Sequence, residues 1–135
     1  MTTPADPSAQ RPRLLPTQDA PLLSRLDGMC FDTPWGAPSM EAWLRGGPNA
    51  AFVILDQTGE AGGFALLTCV EEEGELVRIG VLPALRGGGL GRALLAGVLE
   101  HARSRGVRRI WLEVRASNQA ARALYLGASF RITGA

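Results

Sequence analysis

Arg86-Gly87-Gly88-Gly89-Leu90-Gly91-Arg92 joins two segments of different period. Before it, Leu76, Val77, Ile79 and Val81 form an extended apolar run. After it, Leu90, Leu94, Leu95, Val98, Leu99 and Ala102 recur at helical spacing. A glycine-rich turn between strand and helix bares backbone N–H groups at the positive end of the helix, where one phosphate can accept several of them. The first expectation is therefore a ligand bearing a pyrophosphate, seated on residues 86–92. The competing reading is a turn whose consecutive glycines merely permit a sharp bend. Arg86 and Arg92 weigh against that, since each can offer bidentate hydrogen bonds to phosphate oxygens from one side of the turn. A dinucleotide-binding fold would ask for G-x-G-x-x-G and an acidic residue about 20 positions on. The spacing here is R-x-x-G-x-G, and a strand meander precedes it.

Working outward, residues 1–13 are rich in Pro, Ser and Arg and read as a disordered tail, leaving 14–135 as a single domain. Asp19 is placed to cap a helix through Leu22, Leu23, Leu26 and Met29. Phe31-Asp32-Thr33-Pro34-Trp35-Gly36 breaks it. Ser39 is placed to cap a short helix through Met40, Trp43 and Leu44, stopped by Gly46-Gly47-Pro48. Residues 51–55, 62–70 and 75–82 read as three strands of an antiparallel meander, with turns at Asp56-Gln57-Thr58-Gly59 and Glu71-Glu72-Glu73-Gly74. A helix follows over about 89–105. Residues 108–115 alternate as a strand, Ser117 is a plausible cap for a helix over 118–127, and Phe130 starts a final strand. The order is helix, helix, three strands, helix, strand, helix, strand: an α/β or α+β sheet with helices on its faces. The unit from 75 to 115 should place two strands parallel.

The 135 residues carry a net charge of +1, which hides an asymmetry. Residues 1–85 hold five Arg against eleven acids, and residues 86–135 hold nine Arg against two acids. The C-terminal part is the natural place for an anionic ligand. There is no Lys, which excludes a P-loop NTPase and any Schiff-base chemistry. Cys30 and Cys69 read as reduced core thiols, and with the single His101 they make no persuasive metal site. No signal peptide and no membrane-spanning run is visible, so a cytoplasmic protein is expected, with no metal, membrane or nucleic acid.

Three further residues carry candidate chemistry. Glu113 lies in an otherwise apolar strand, with Trp111 and Arg115 near it on the chain. A carboxylate there is either paired at the surface with Arg109 or Arg115, or a base facing a cleft. Asn118 and Tyr125 share one face of a predicted helix. Tyr125 is protonated at neutral pH and a competent donor, though an isolated tyrosine more often fills a core. Trp111 reads as core, His101 as a surface or half-buried residue, and Glu71-Glu72-Glu73 as a solvated hairpin tip.

Taken together, Ile79-Gly80-Val81-x-Pro83, Arg86-x-x-Gly89-x-Gly91-Arg92-Ala93-Leu94-Leu95, Leu112-Glu113-Val114-Arg115-Ala116-Ser117-Asn118 and Ala121-x-x-Leu124-Tyr125 resemble the GNAT superfamily of acyl-CoA-dependent N-acyltransferases. Within it they look most like the RimI-type ribosomal-protein-alanine N-acetyltransferases, as does Pro34-Trp35. The resemblance spans about residues 15–135. It implies a mixed, mostly antiparallel sheet splayed between two parallel strands, with acetyl-CoA in the splay. The pyrophosphate would rest on Gly87, Gly88, Gly89, Leu90, Gly91 and Arg92, flanked by Arg86. The pantetheine arm would add along Ile79, Gly80 and Val81, and Asn118 would bond it. Glu113 would be the general base and Tyr125 the general acid, with a backbone N–H near Val81 facing the oxyanion. The implied acceptor is a protein N-terminal α-amine, that of a ribosomal-protein alanine; a small-molecule amine, or CoA binding without turnover, are the alternatives, in a monomer or homodimer.

Three departures from the family stand out. Ser129 precedes Phe130 where a Gly is usual, with Gly127 shifted, and Gly80-Val81 replaces Ala-Val. The family continues past the position of Ala135, so a C-terminal strand is expected to be missing.

Overall fold

The computed structural model describes residues 12–112. The elements run β1 (Arg13–Thr17), α1 (Ala20–Cys30), α2 (Ala37–Leu44), β2 (Asn49–Leu55), β3 (Ala61–Val70), β4 (Glu73–Val81), a 3-10 turn (Pro83–Leu85), α3 (Leu90–Ser104) and β5 (Arg109–Leu112). The strands lie side by side in the order β1-β2-β3-β4-β5. The first four pair antiparallel and β4 pairs parallel with β5, as the crossover through α3 requires. Most elements fall within two residues of their sequence expectation.

β1 is the element the sequence reading missed, and Arg13, assigned to the tail, is its first residue. Pro16 makes Leu14-Leu15-Pro16-Thr17 read as a non-strand. The segment pairs only with β2 among the described residues, and an edge position tolerates a residue with no N–H to give. Leu14 packs against the core beneath α3. Asp19 caps α1 as expected, its carboxylate accepting from the Leu22 amide at 3.1 Å. Ser39 does not cap α2: the helix starts earlier, from Gly36, with Pro38 in its first turn, and Ser39 lies inside it. Trp111 is exposed, against the expectation that it lies in the core, and Met29 of α1 is exposed as well.

The sheet separates two apolar cores. On one face Phe52, Ile54, Ala65, Leu67 and Leu76 meet Leu90, Leu94, Leu95, Val98 and Ala102 of α3. On the other, Ala51, Val53, Phe64 and Leu66 meet Leu23 and Leu26 of α1 and Met40 of α2. β4 changes phase between them. Leu67 pairs with Leu76 but Leu66 pairs with Arg78, so Val77 is an extra residue in the ladder. Leu76 belongs to the α3 core, Val77 packs on the α1 side, and Arg78 also points to α1, where it meets Asp27. Ile79 and Val81 are returned to the α3 side. A strand that alternated without interruption would put Arg78 into the apolar α3 core.

Candidate active site

β4 ends at Val81, and the chain turns through Pro83–Leu85 and the glycines into α3. Leu85 and Leu90 hold this turn down on β3: a Cβ on Gly62 would lie 2.7 Å from a methyl of each. Gly87 and Gly89 adopt φ of +86° and +88°, a region that L side chains enter at a cost. Gly89 is the N-cap of α3 and no side chain caps the helix. Among the described residues, no amide from 87 to 92 makes a well-formed hydrogen bond to a protein acceptor; the first such amide is Ala93, bonded to the Gly89 carbonyl at 3.0 Å. No heavy atom lies within 4 Å of where a Cβ on Gly87 or Gly89 would sit. Arg92 is exposed in the first turn, and no acidic residue accompanies it. A run of open amides at a helix start, with a cation beside it, suits an anion that has several acceptor oxygens.

The other edge of β4 follows from the ladder. The Leu82 amide donates to the Gly62 carbonyl at 2.9 Å. In an antiparallel pair, bonded and non-bonded positions alternate, so the backbone groups of Val81 and Ile79 point away from β3. Among the described residues they form a strand edge leading straight to the glycine turn.

Arg86 does not stand free. Its Nε donates to the Val81 carbonyl at 3.0 Å and its Nη2 to the Cys30 carbonyl at 3.3 Å. Cys30 ends α1, and α1 comes close to β4 here: a Cβ on Gly80 would lie 3.0 Å from both Cys30 Cβ and Phe31 Cε2. Burial pushes the Cys30 thiol above its ordinary pKa, with the Arg86 charge opposing, and burial raises Cys69 likewise. Both thiols are free.

The residues that sequence reasoning missed lie beside this edge. Asp27 is fully buried in α1. It pairs with Arg78 Nε, and its other oxygen accepts the Trp35 amide at 2.8 Å. Arg78 also donates to the Thr33 carbonyl at 3.0 Å and stacks over the Phe31 ring at 4.1 Å. The segment between α1 and α2 is thereby fixed against β4. The only sequence signal was a lone Arg inside an apolar strand.

Glu113, Asn118 and Tyr125 lie outside the described residues, as do the expected helix over 118–127 and the final strand. Among the described residues, no three His, Cys, Asp or Glu side chains are grouped to hold a metal ion, and no helix is long and apolar enough to cross a membrane.

The family model for the acetyltransferase (GNAT) family matches residues 20–128. The chain belongs to the GNAT acetyltransferase family. This GNAT chain is 36% identical over 116 residues to the [ribosomal protein bS18]-alanine N-acetyltransferase of Escherichia coli K12, an overlap of 86% of this chain and 77% of that enzyme. It is 34% identical over 137 residues to the mycothiol acetyltransferase of Amycolatopsis mediterranei, covering 86% of this chain and 44% of that one. The crystal structure of the ribosomal-protein-S18-alanine N-acetyltransferase from Escherichia coli matches with a TM-score of 0.84 at 32% identity, covering 92% of this chain and 80% of that one. The GNAT chain is thus an N-acetyltransferase, and acetyl-CoA is its acyl donor. The expected mixed sheet with helices on both faces is the one observed.

Proposed function

We propose that the chain transfers acetyl to the N-terminal α-amine of a ribosomal protein, with an alanine as first residue. The observation that carries this is the 36% identity to the Escherichia coli bS18-alanine N-acetyltransferase along most of the chain. The donor's pyrophosphate rests on the amides of Gly87, Gly88, Gly89, Leu90, Gly91 and Arg92, with the Arg92 guanidinium beside it; their open N–H groups support this. Its pantetheine arm adds to the edge presented by Ile79, Gly80 and Val81, and Asn118 bonds that arm. The donor supplies the acetyl group as a thioester, whose carbonyl carbon accepts the amine while its sulfur leaves as a thiolate. An α-amine of pKa about 8 is mostly protonated at neutral pH and must first lose a proton. Glu113, through water, takes it, and Tyr125 returns one to the leaving sulfur. No covalent bond to the enzyme is needed; positioning and prealigned donors account for the acceleration. The free thiols Cys30 and Cys69 suit a reducing compartment, and we place the reaction in the cytoplasm on that ground.

Incubation with acetyl-CoA and a peptide copying the bS18 N-terminus tests this. Thiol release together with acetylation of the peptide α-amine, detected by mass spectrometry, is expected; Glu113→Gln and Tyr125→Phe should each slow it by 100-fold or more, on the order of a general acid–base contribution. Acetylation of small amines with no turnover of the peptide would instead favour the reading that the mycothiol acetyltransferase likeness supports, a small-molecule acceptor.

A further inference from the structure

Arg86 has two roles open to it. One is a grip on phosphate, for which its place in the turn suits it. The other is the one its guanidinium performs here, on two main-chain carbonyls.

Those carbonyls are not arbitrary. Val81 closes β4, and its carbonyl is the last acceptor on the edge turned away from β3. Cys30 closes α1. The planar fork of one side chain therefore spans the end of the donor edge and the end of the helix that crowds it at Gly80. A lysine carries the same charge but lacks the fixed fork. Held in this way, the guanidinium acts on the end of the edge next to the turn, where the pantetheine arm would first meet β4.

We propose that Arg86 is a positioning residue for the pantetheine arm of the acyl donor. It fixes the Val81 carbonyl against the end of α1, and its contribution does not come from holding the pyrophosphate. This rests on the donor placement proposed above.

The test separates the two halves of the donor. Arg86→Met, Arg86→Lys and Arg92→Met are compared with wild type in kcat/KM for acetyl-CoA and for S-acetyl-pantetheine, which lacks the nucleotide and diphosphate. Binding of adenosine 3′-phosphate 5′-diphosphate, the other half, is measured by calorimetry. Arg86→Met should lower kcat/KM for both donors by one common factor, between about 10- and 100-fold, the scale of a small misplacement. Arg86→Lys should not recover it, and the Kd of the nucleotide half should stay within twofold of wild type. Arg92→Met should show the opposite pattern. A loss confined to acetyl-CoA and restored by Arg86→Lys, or no loss with either donor, overturns the proposal. Arg86 is exposed, so the variants should fold; should Arg86→Met not fold, Arg86→Gln, which keeps one donor, is read by the same criteria. If wild type binds neither acetyl-CoA nor the nucleotide half, the donor placement itself fails, a distinct outcome.

Discussion

Removing the Arg78 guanidinium would leave the Asp27 carboxylate buried, with the Trp35 amide as its remaining partner. Breaking a buried pair from one side is costly, so Arg78→Met should destabilise the fold by about 3–5 kcal/mol in urea unfolding. The glycines of the turn differ from one another in a testable way. Gly89 holds φ at +88° with open space around it, so Gly89→Ala should cost about 1–2 kcal/mol from backbone strain alone. Gly88 is not held at positive φ, and its Cβ would meet only the Leu85 carbonyl, at 3.6 Å, so Gly88→Ala should leave the urea midpoint nearly unchanged. The glycine turn was legible in the sequence because its chemistry is local. The Asp27–Arg78 pair was not, since 51 residues separate its members and neither stands in a motif. The fork of Arg86 was hidden for a related reason: its residue type suits phosphate and carbonyl equally.

At the level of elements, β4 decides most. Its apolar residues predicted a strand, but a period-2 reading of Leu76, Val77, Ile79 and Val81 cannot tell which of them share a face. The extra residue at Val77 resolves this by putting Val77 and Arg78 on one side. Deleting Val77 would remove only the extra residue: Leu76 and Arg78 would then follow in plain alternation, with Arg78 still facing α1 and Ile79 and Val81 still facing α3. The deletion variant should keep a cooperative thermal transition by circular dichroism, at a midpoint lowered by the loss of the Val77 side chain from the α1-side core. Helices were easier to read than β1, because α1 and α3 declare themselves by spacing, whereas a five-residue edge strand containing Pro does not.

Over the whole molecule, the two cores share one sheet, and stability depends on groups lodged between the layers. His101 of α3 lies edge-on to the Phe52 ring of β2, with centroids 4.7 Å apart. Burial holds its imidazole below the ordinary value of 6.5, and Arg105 adds to this. The unfolded chain therefore takes up a proton first as pH falls. Stability is complete above that ordinary value and declines below it. Urea midpoints from pH 8 to 5 should follow this decline in wild type and flatten in His101→Gln. The mixed topology and the parallel return through α3 were legible at this scale from element order and the handedness rule. The separation into two unlike cores was not, because it depends on where one residue is added to a ladder.

The bare amides of the glycine turn carry a last consequence. With no partner for residues 87–92 among the described residues, their hydrogens are free to trade with deuterium without waiting for the fold to open, while Ala93, one step along, is already secured. An acyl donor seated there would silence the six signals and leave the seventh as it was. The same lack of internal bonding that leaves the turn ready for a ligand makes it a built-in gauge of occupancy.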